Sequence, residues 1–492
     1  MLNFVAKFGR LVISNMDIIM KYNVKSLLGI VLALSFSTAV AQSTVKVDAT
    51  TTHQRITGFG AFVCSPSFQY NHMSNAEIKR VWGSESVIGC NIMRLYIPIG
   101  RSNWKQSLQT AKTAKEMGLI VFASPWGQPK EWKTNNSSDA KNQKGEEGKL
   151  KRENWPDYAQ YLEDYVQYLR DNGVELDAIS IQNEPDWPAQ YAGCLWSANE
   201  IAEFVKTYGP SITCKVIAPE TLAVSSSYAN ALNKEDVLPG FDIYGGHQYG
   251  GIQSGYKKLA EQGKEIWMTE YFINWNEGKS ESEKRDCDFS KDFFNFFRAI
   301  NTCMKGDFNA WIHYTAKRYY ALLGDGTTGA GESGEMTKRG YIMAHFAKFV
   351  TGMTRIDIDF GKSLLEGSAY LSETGDTVVA VMANATDDDV TISMDLPFNT
   401  QGGQLYSTSR TDNMTVTTVT PDGETSSPTA TVPARSVSTL FFVRSGEADG
   451  IADIEADKSS TVRIYDLSGR IVHTSSLRPG LYIKDKKKVV VR

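Results

Sequence analysis

The sequence lacks the charge imbalance that marks many nucleic-acid-binding proteins. Its 52 lysines and arginines nearly balance its 56 aspartates and glutamates, so the formal net charge at pH 7 is only −4. The basic residues also form no stripe along the chain. Nucleic acids bind to concentrated positive surfaces, and we therefore expect no nucleic-acid partner.

Motifs of metal and nucleotide sites are also missing. The cysteines form no Cys-x-x-Cys pair and have no histidine at zinc-ligand spacing. No Gly-x-Gly-x-x-Gly or Gly-x-x-x-x-Gly-Lys motif follows a strand-like run. We therefore expect no metal and no other cofactor. The wide spacing of the cysteines fits either buried free thiols or one or two disulfides among Cys64, Cys90, Cys194, Cys214, Cys287 and Cys303.

No apolar run is long enough for a comfortable transmembrane helix, so we expect no membrane insertion. The N-terminus instead has the three parts of a secretory signal peptide. Residues 20–25 are positively charged, residues 26–36 are apolar, and Ala39-Val40-Ala41 is a small-residue cleavage pattern. We assign residues 1–41 to this signal, with residues 1–19 as a mis-called extension ahead of the true start. The protein is predicted to be secreted or displayed at the cell surface.

Strand-like apolar runs alternate with helical patterns through the middle of the chain. The strand-like runs cover residues 56–62, 92–97, 120–124, 178–182, 216–218, 241–245, 266–269 and 310–314. Helical patterns between them include residues 104–117, 158–172 and 289–304. Eight strands that alternate with helices favour an α/β fold of the (β/α)8 TIM-barrel type over a doubly wound sheet. The predicted barrel spans residues 54–345.

The sequence pattern changes beyond the predicted barrel. Alternating runs at 378–384, 390–396 and 437–443 are separated by Thr, Ser, Asp and Gly. This pattern is typical of an antiparallel β-sandwich, which we assign to residues 346–444. An early strand within residues 42–53 is expected to join this sandwich. Residues 445–492 are predicted to be a polar linker followed by a small C-terminal β module.

Two of the predicted barrel strands end in a glutamate. Glu184 follows the fourth strand, and Glu270 follows the seventh. Side chains at the carboxyl ends of barrel strands face one cleft, so we expect the two carboxylates to meet there. Hydrolysis of a glycosidic bond needs such a pair, one to protonate the leaving oxygen and one to attack or to activate water. Two unrelated surface or helix-capping glutamates are the alternative interpretation.

Several local runs carry a more specific signal. They are Gln54-Arg55-Ile56-Thr57-Gly58-Phe59-Gly60, Ile120-Val121-Phe122-Ala123-Ser124-Pro125-Trp126, Gln182-Asn183-Glu184-Pro185-Asp186, Trp267-Met268-Thr269-Glu270, and Lys338-Arg339-Gly340-Tyr341 with Met343-Ala344-His345-Phe346. In this order they resemble glycoside hydrolase family 30, in particular its bacterial glucuronoxylanases. The resemblance implies a barrel fused to a β-sandwich. It also implies a retaining endo-β-1,4-xylanase with Glu184 as acid/base and Glu270 as nucleophile.

That mechanism sets the charge of the two glutamates. Glu270 must be ionised, and we expect Arg94, at the end of the second strand, to hold the pKa of Glu270 down. The ionised Glu270 should raise the pKa of Glu184, so that Glu184 keeps its proton. Asn183 is a candidate hydrogen-bond partner of the sugar 2-hydroxyl. A surface position without function is the alternative for Arg94.

Aromatic residues at other strand ends are candidate substrate contacts. Trp126, after the third strand, is expected either to stack on a sugar or to pack in the core. His247 and Tyr249 end the sixth strand and are expected to border Glu270. For His247, a packed histidine without contact to substrate is the alternative.

The resemblance places substrate specificity on the eighth strand. Relatives hold the glucuronate branch of xylan with an arginine and a tyrosine, and ungapped alignment puts Arg318 and Tyr320 at those positions. A guanidinium suits a carboxylate because it can donate two parallel hydrogen bonds. Tyr314 replaces a family tryptophan and is also assigned to the substrate site. Because the loop at 324–335 is longer than in relatives, weakened or replaced branch recognition is the alternative.

The tail carries a second resemblance. Tyr465-Asp466-Leu467-Ser468-Gly469-Arg470 and Gly480-Leu481-Tyr482 are similar to the C-terminal sorting module of type IX secretion in the Bacteroidetes. This similarity implies contact with secretion machinery. A minor β appendage is the alternative.

The expected partners are plant cell-wall xylan or xylo-oligosaccharides. Rival activities within the same family are those of a β-glucosidase, a β-1,6-glucanase or a glucosylceramidase-like enzyme. A rival from another class is a non-catalytic glycan-binding protein that keeps the barrel. The presence of both glutamates argues against that binder.

Overall fold

A computed structural model describes residues 43–66, 68–273, 292–327 and 331–446, together with four short strands of the tail. The predicted signal peptide and Cys287 lie outside the described residues. Eight parallel strands form a closed barrel. They are β2 (Gly58–Phe62), β3 (Ile92–Tyr96), β4 (Ile120–Ser124), β5 (Ala178–Ser180), β6 (Lys215–Thr221), β7 (Ile243–His247), β8 (Glu265–Tyr271) and β9 (Ala310–His313). The predicted TIM barrel is therefore confirmed.

Apolar side chains from seven of these strands fill the inside of the barrel. This cluster contains Ile92, Phe122, Ala178, Ile217, Ile243, Trp267, Ala310 and Ile312. Such layers make the barrel a packed core rather than a pore. Three strands extend further toward their carboxyl ends than the sequence predicted, because buried polar residues continue the pairing. β6 includes Glu220, β7 includes His247, and β8 includes Glu270.

The described residues contain eight α-helices. They are α1 (Asn75–Val81), α2 (Lys105–Glu116), α3 (Trp155–Asp171), α4 (Ala198–Tyr208), α5 (Ser226–Leu232), α6 (Lys257–Glu261), α7 (Asp292–Lys305) and α8 (Lys338–Ala347). The helices predicted at 104–117 and 158–172 correspond to α2 and α3. The one predicted at 289–304 corresponds to α7, and its first three residues lie outside the described part. No helix in the described part has the length and apolarity needed to cross a membrane.

Local sequence explains where several helices begin and end. α4 begins at a capping box, in which Ser197 and Glu200 each bond the backbone N–H of the other. α3 has a proline in its first turn, where the missing N–H costs no hydrogen bond. Gly173 follows α3 with φ +83°, a conformation that glycine adopts without strain.

The second domain is a nine-stranded, mostly antiparallel sheet. Its strands are β1 (Ser43–Arg55), β10 (Thr354–Asp359), β11 (Glu366–Leu371), β12 (Thr377–Asn384), β13 (Val390–Asp395), β14 (Gly403–Thr408), β15 (Thr415–Val419), β16 (Thr429–Val432) and β17 (Ser436–Val443). The order is β15-β14-β17-β12-β11-β10-β1-β13-β16. Leu405 near one end and Val432 at the other share one apolar core. The sandwich is therefore one continuous sheet folded over its own core.

Helix α8 joins the barrel to this sheet. It continues through residue 346, where the sequence placed the boundary, because Phe346 and Ala347 remain buried in the barrel core. His345 is buried at the junction, with its two ring nitrogens 2.8 and 2.9 Å from the hydroxyls of Thr439 and Thr408.

Four strands of the tail form a separate small sheet. They are β18 (Ile464–Tyr465), β19 (Ile471–Val472), β20 (Gly480–Lys484) and β21 (Lys487–Val491), in the order β19-β18-β20-β21. The intervening residues lie outside the described part.

The described cysteines are free thiols rather than disulfide partners. Four are buried and Cys214 is half-buried: Cys64, Cys90, Cys194, Cys214 and Cys303. Burial raises the pKa of the Cys194 and Cys214 thiols to about 12. These thiols are therefore poor nucleophiles.

Candidate active site

The ends of β5 and β8 bring Glu184 and Glu270 together. Glu184 lies four residues beyond β5, and Glu270 is the second-last residue of β8. One carboxylate oxygen of each lies within 4.8 Å of the other. Glu184 is 7% exposed and Glu270 is 6% exposed. The sequence prediction that these carboxylates would share one cleft agrees with this geometry.

Arg94, on β3, is the buried cation of the site. Its guanidinium donates to Oε2 of Glu270, to Oδ1 of Asn183 at 2.6 Å and to Oε1 of Glu220 at 3.1 Å. It is fully buried. A planar fork of donors can hold several acceptors in fixed positions, so Arg94 sets the orientation of Glu270.

The second oxygen of Glu270 has a neutral partner. The Tyr249 hydroxyl donates to Oε1 of Glu270 at 3.1 Å. Burial raises the pKa of Glu270, and it outweighs the lowering effect of the His247 and Arg94 charges. Arg94 therefore moderates this shift but does not reverse it, and the expectation of a lowered pKa was wrong.

Two side chains hold Glu184. Nδ1 of His247 lies 3.1 Å from Oε1, and the Tyr191 hydroxyl donates to Oε2 at 2.9 Å. Burial alone would raise the pKa of Glu184, but the hydrogen bonds from His247 and Tyr191, with the charges of His247 and Arg94, bring it below its ordinary value. The expected increase was also wrong, because the sequence placed His247 beside Glu270 rather than Glu184 and did not reveal Tyr191.

The pKa of His247 shifts in the opposite direction to that of Glu184. Burial lowers its pKa, but the charge of Glu270 and the hydrogen bond to Glu184 outweigh burial and leave the pKa of His247 raised. One proton can therefore reside on His247 or on Glu184, which are joined by a single hydrogen bond. Interacting groups of this kind titrate as a pair.

Two glutamates at the site have left-handed backbone conformations. The φ angle of Glu184 is +46°, and that of Glu220 is +54°. A non-glycine residue in this region carries strain of about 1–3 kcal/mol. The backbone N–H of Glu184 donates to the carbonyl oxygen of Glu220 at 2.9 Å, so each strained residue supports the other.

Asn183 and Trp126 both contact Arg94. The side-chain oxygen Oδ1 of Asn183 accepts from Arg94, which leaves the side-chain amide nitrogen of Asn183 to donate to a sugar hydroxyl. Trp126 is only 3% exposed, and its ring lies 4.6 Å from the Arg94 guanidinium carbon. This burial favours the packing role of Trp126, with a cation–π contact to the site arginine.

Aromatic rings extend from Glu270 along one side of the site. Tyr314 stacks on Phe62 with centroids 5.3 Å apart, and it lies 5.8 Å from Phe272. Phe272 also lies 5.5 Å from Tyr249 and stacks on Tyr320 at 4.4 Å. Tyr320 is therefore largely enclosed by its neighbours.

Arg318 is less enclosed than Tyr320. Its guanidinium carbon lies 5.3 Å from the Tyr319 ring, and Nη1 lies 3.6 Å from Oδ2 of Asp325. About a third of the Arg318 side chain is exposed. The structure thus places an intramolecular carboxylate beside the arginine for which the sequence predicted a substrate carboxylate.

Sequence reasoning missed three residues in or beside the site. Glu220 follows an apolar strand just as Glu184 does, so the same signal could have identified it. Tyr191 and Trp187 lie in the irregular loop after β5, where no periodic pattern marks them. Trp187 is 44% exposed, and its backbone N–H donates to the Glu184 carbonyl.

Within the described residues, Glu184, His247 and Glu270 also form a cluster with ligand atoms close enough to hold a metal ion. Two carboxylates and an imidazole are suitable ligands for a divalent ion. However, the Arg94 guanidinium already supplies positive charge to Glu270 in the same space. The arrangement is therefore better suited to acid–base and nucleophilic chemistry.

Comparison with known proteins gives a consistent result. Residues 100–239 match O-Glycosyl hydrolase family 30. The chain is 32% identical over 374 residues to glucuronoxylanase XynC of Bacillus subtilis, covering 73% of this chain and 83% of that protein.

Two solved structures are similar over nearly their whole length. One is a glycoside hydrolase family 30 subfamily 8 xylanase from Clostridium acetobutylicum, with 29% identity and a TM-score of 0.70 over 81% of this chain and 99% of that one. The other is a family 30 endoxylanase from Clostridium papyrosolvens, with 28% identity and a TM-score of 0.67 over 82% and 100%. With the curated relative, these matches establish that the chain belongs to glycoside hydrolase family 30.

Proposed function

We propose that this enzyme is a retaining endo-β-1,4-xylanase, with Glu270 as nucleophile and Glu184 as acid/base. The observation that carries this proposal is the approach of the two carboxylates to within 4.8 Å. Retaining glycosidases have carboxyl groups about 5–5.5 Å apart, whereas inverting enzymes need about 6.5–9.5 Å to admit a water molecule. The short separation favours direct attack on the sugar.

In the first step, a Glu270 oxygen attacks the anomeric carbon and the glycosidic bond breaks. The leaving oxygen takes a proton from Glu184, and a glycosyl ester with Glu270 is formed. Glu270 is ionised at a pH above its raised pKa. The proton for the leaving group comes from the hydrogen-bonded pair of His247 and Glu184, in which transfer over 3.1 Å restores protonated Glu184.

In the second step, Glu184 removes a proton from water, and the oxygen of that water attacks the anomeric carbon. The ester bond to Glu270 then breaks, and the sugar leaves with its original configuration. Asn183, fixed by Arg94, donates to the sugar 2-hydroxyl, a contact that strengthens in the transition state. Arg94 and Tyr249 hold Glu270 in position throughout.

The substrate assignment is supported by the relatives. The similar proteins named above are a glucuronoxylanase and xylanases, and the resemblance extends over both the barrel and the β-sheet domain. We therefore propose β-1,4-linked xylan as the substrate, ahead of the β-glucoside or β-1,6-glucan substrates of other activities in the family.

The test is hydrolysis of glucuronoxylan, unbranched xylan and β-1,6-glucan, measured side by side by reducing-sugar release. We expect the wild type to release sugar from the xylans, and Glu270→Gln and Glu184→Gln to lose nearly all of this activity. Glu153→Gln, at an exposed residue before α3, is the matched control. Release from β-1,6-glucan alone would favour a rival family activity. Sugar binding without any turnover in the wild type would indicate a glycan-binding protein.

We also propose that residues 20–41 direct export and that the tail directs sorting by type IX secretion. The charged, apolar and small-residue segments at the N-terminus support the first part. The Tyr465–Arg470 and Gly480–Tyr482 runs support the second. The test compares the full chain with a chain ending at residue 444 in a Bacteroidetes host. We expect the shortened protein to remain inside the cell envelope, and equal release of both would contradict the sorting role.

A further inference from the structure

Arg318 lies at the far end of a row of aromatic rings that begins at the proposed nucleophile. Tyr249 bonds Glu270, Phe272 packs on Tyr249, and Tyr320 stacks on Phe272. Tyr319 packs edge-on against Tyr320 at 4.8 Å and lies beneath the Arg318 guanidinium. Arg318 is therefore a partly exposed cation that is connected to the site through packed side chains.

Asp325 is held in place opposite this cation. Its Oδ1 accepts the backbone N–H of Thr327 at 3.0 Å, and its Oδ2 lies 3.6 Å from Nη1 of Arg318. The Asp325 side chain is only 9% exposed. The backbone hydrogen bond and the burial of its side chain hold the Asp325 carboxylate beside Arg318.

The 3.6 Å separation is too long for a strong bidentate hydrogen bond, which needs distances near 2.8 Å. Asp325 therefore balances the charge of Arg318 without occupying its N–H donors as a bound glucuronate would. Arg318 shares a side-chain hydrogen bond with Tyr320, and its remaining donors are suited to neutral acceptors such as sugar hydroxyls. A second carboxylate would be repelled by Asp325 at short range.

The charge of the neighbouring Lys317 is also balanced by a carboxylate. Nζ of Lys317 lies 2.6 Å from Oε1 of Glu77, and both side chains are largely buried. Nε2 of His72 donates to the carbonyl oxygen of Lys317 at 2.8 Å, and burial lowers the pKa of His72. The segment at 317–318 thus presents two cations, each with its own carboxylate, rather than a positive surface for an anionic branch.

We propose that Asp325 is a specificity-determining residue that neutralises Arg318 and so makes hydrolysis independent of glucuronate branches. This inference rests on the proposed xylanase function and defines its substrate more closely. Xylan with neutral or absent branches is then accepted as readily as glucuronoxylan. The resemblance had implied the opposite preference.

The test is Asp325→Asn, which removes the charge but keeps an oxygen for the Thr327 N–H. The measurement is the ratio of kcat/KM on glucuronoxylan to kcat/KM on unbranched xylan. We expect a wild-type ratio near one and an increase of roughly fivefold in the variant, the size of one partly exposed charge pair. Asp387→Asn, which removes the partner of Arg435 in the β-sheet domain, is the matched control and should leave the ratio unchanged.

Two further measurements separate charge from shape. On glucuronoxylan whose carboxyl groups have been reduced to alcohols, the increase in the kcat/KM ratio caused by Asp325→Asn should disappear. Adding Arg318→Gln to Asp325→Asn should also abolish the gain, because the unpaired guanidinium is its source. Thermal unfolding of each variant checks that the fold is retained.

The outcomes are distinguishable. A strong wild-type preference for glucuronoxylan, or an unchanged or lower ratio in a folded Asp325→Asn variant, would overturn the role of Asp325 while leaving the xylanase function intact. A wild type that hydrolyses no xylan at all would instead overturn the proposed function on which this inference rests.

Discussion

Nδ1 of His247 lies 3.1 Å from Oε1 of Glu184. This hydrogen bond joins the proposed acid, Glu184, to His247. The pKa of His247 is raised by the neighbouring carboxylates of Glu270 and Glu184. The proton needed by the leaving group is therefore held by two side chains rather than one. The pH dependence of catalysis should report this pair together with Glu270.

Removing the second hydrogen bond to Glu184 should change the basic limb of the pH profile. The Tyr191 hydroxyl lowers the pKa of Glu184, so Tyr191→Phe should raise that pKa. Activity falls as pH rises through the pKa of the acid, and the basic limb of kcat/KM should therefore move to higher pH. Tyr406→Phe, which removes a hydroxyl bond to Gln404 in the β-sheet domain, is the matched control. A basic limb at the wild-type pH would contradict the role of Tyr191.

Weakening the contacts that hold Glu270 should change the acidic limb of the pH profile of kcat/KM. Arg94 lowers the pKa of Glu270 through its charge and hydrogen bond. Arg94→Lys keeps a positive charge but loses the planar fork, so the pKa of Glu270 should rise and the acid limb should move to higher pH. We expect kcat to fall by roughly 10²-fold because the nucleophile is no longer held in its reactive position.

The control for that experiment is Arg101→Lys, at a partly exposed ion pair with Asp164. It should leave both limbs and kcat near wild-type values. If Arg94→Lys is folded and its acid limb is unchanged, Arg94 does not tune the ionisation of Glu270.

Trp187 is expected to bind sugar on the leaving-group side. It follows Glu184 by three residues and is 44% exposed, and the proposed acid faces the leaving oxygen. Loss of an aromatic contact of about 1 kcal/mol should raise KM roughly fivefold in Trp187→Ala, with little change in kcat or thermal stability. Trp187→Phe keeps an aromatic face and should be closer to wild type. An unchanged KM for the alanine variant would exclude this contact.

His345 should make the stability of the protein depend on pH. Burial lowers its pKa from 6.5 to about 3 in the folded protein. The unfolded chain binds a proton as pH falls below 6.5, while the folded protein does so only near 3. The stabilising contribution of this histidine is therefore complete above pH 6.5 and is lost as pH falls through that interval.

His345→Gln removes this titration and keeps groups that can bond Thr408 and Thr439. We expect the decrease in the free energy of unfolding between pH 7.5 and pH 5, measured with urea, to be smaller in the variant than in the wild type. The same decrease in both proteins would show that His345 does not contribute.

Much of the fold could be predicted from the sequence because the barrel strands are short apolar runs with clear breaks. The positions of Glu184 and Glu270 followed from the barrel alone, since carboxyl ends of parallel strands share one face. Glu220 carried the same signal but was missed, because the predicted strand stopped at Ala218 and β6 continues to Thr221.

The rest depends on contacts between distant segments. Tyr191 reaches Glu184 from an irregular loop, and Asp325, whose carboxylate accepts from the Thr327 N–H, lies beside Arg318. Neither position belongs to a repeating pattern that sequence reasoning can use. The predicted directions of the two glutamate pKa shifts were wrong for the same reason. These shifts depend on burial and on partners that only the folded chain brings together.

The most direct test of the central claim is the anomeric configuration of the first product, followed by proton NMR as xylan or a xylo-oligosaccharide is hydrolysed. Two carboxylates within 4.8 Å of each other predict double displacement, so the β-anomer should appear first and the α-anomer only later by mutarotation. If the α-anomer appears first, the reaction inverts configuration, and Glu270 is not a nucleophile.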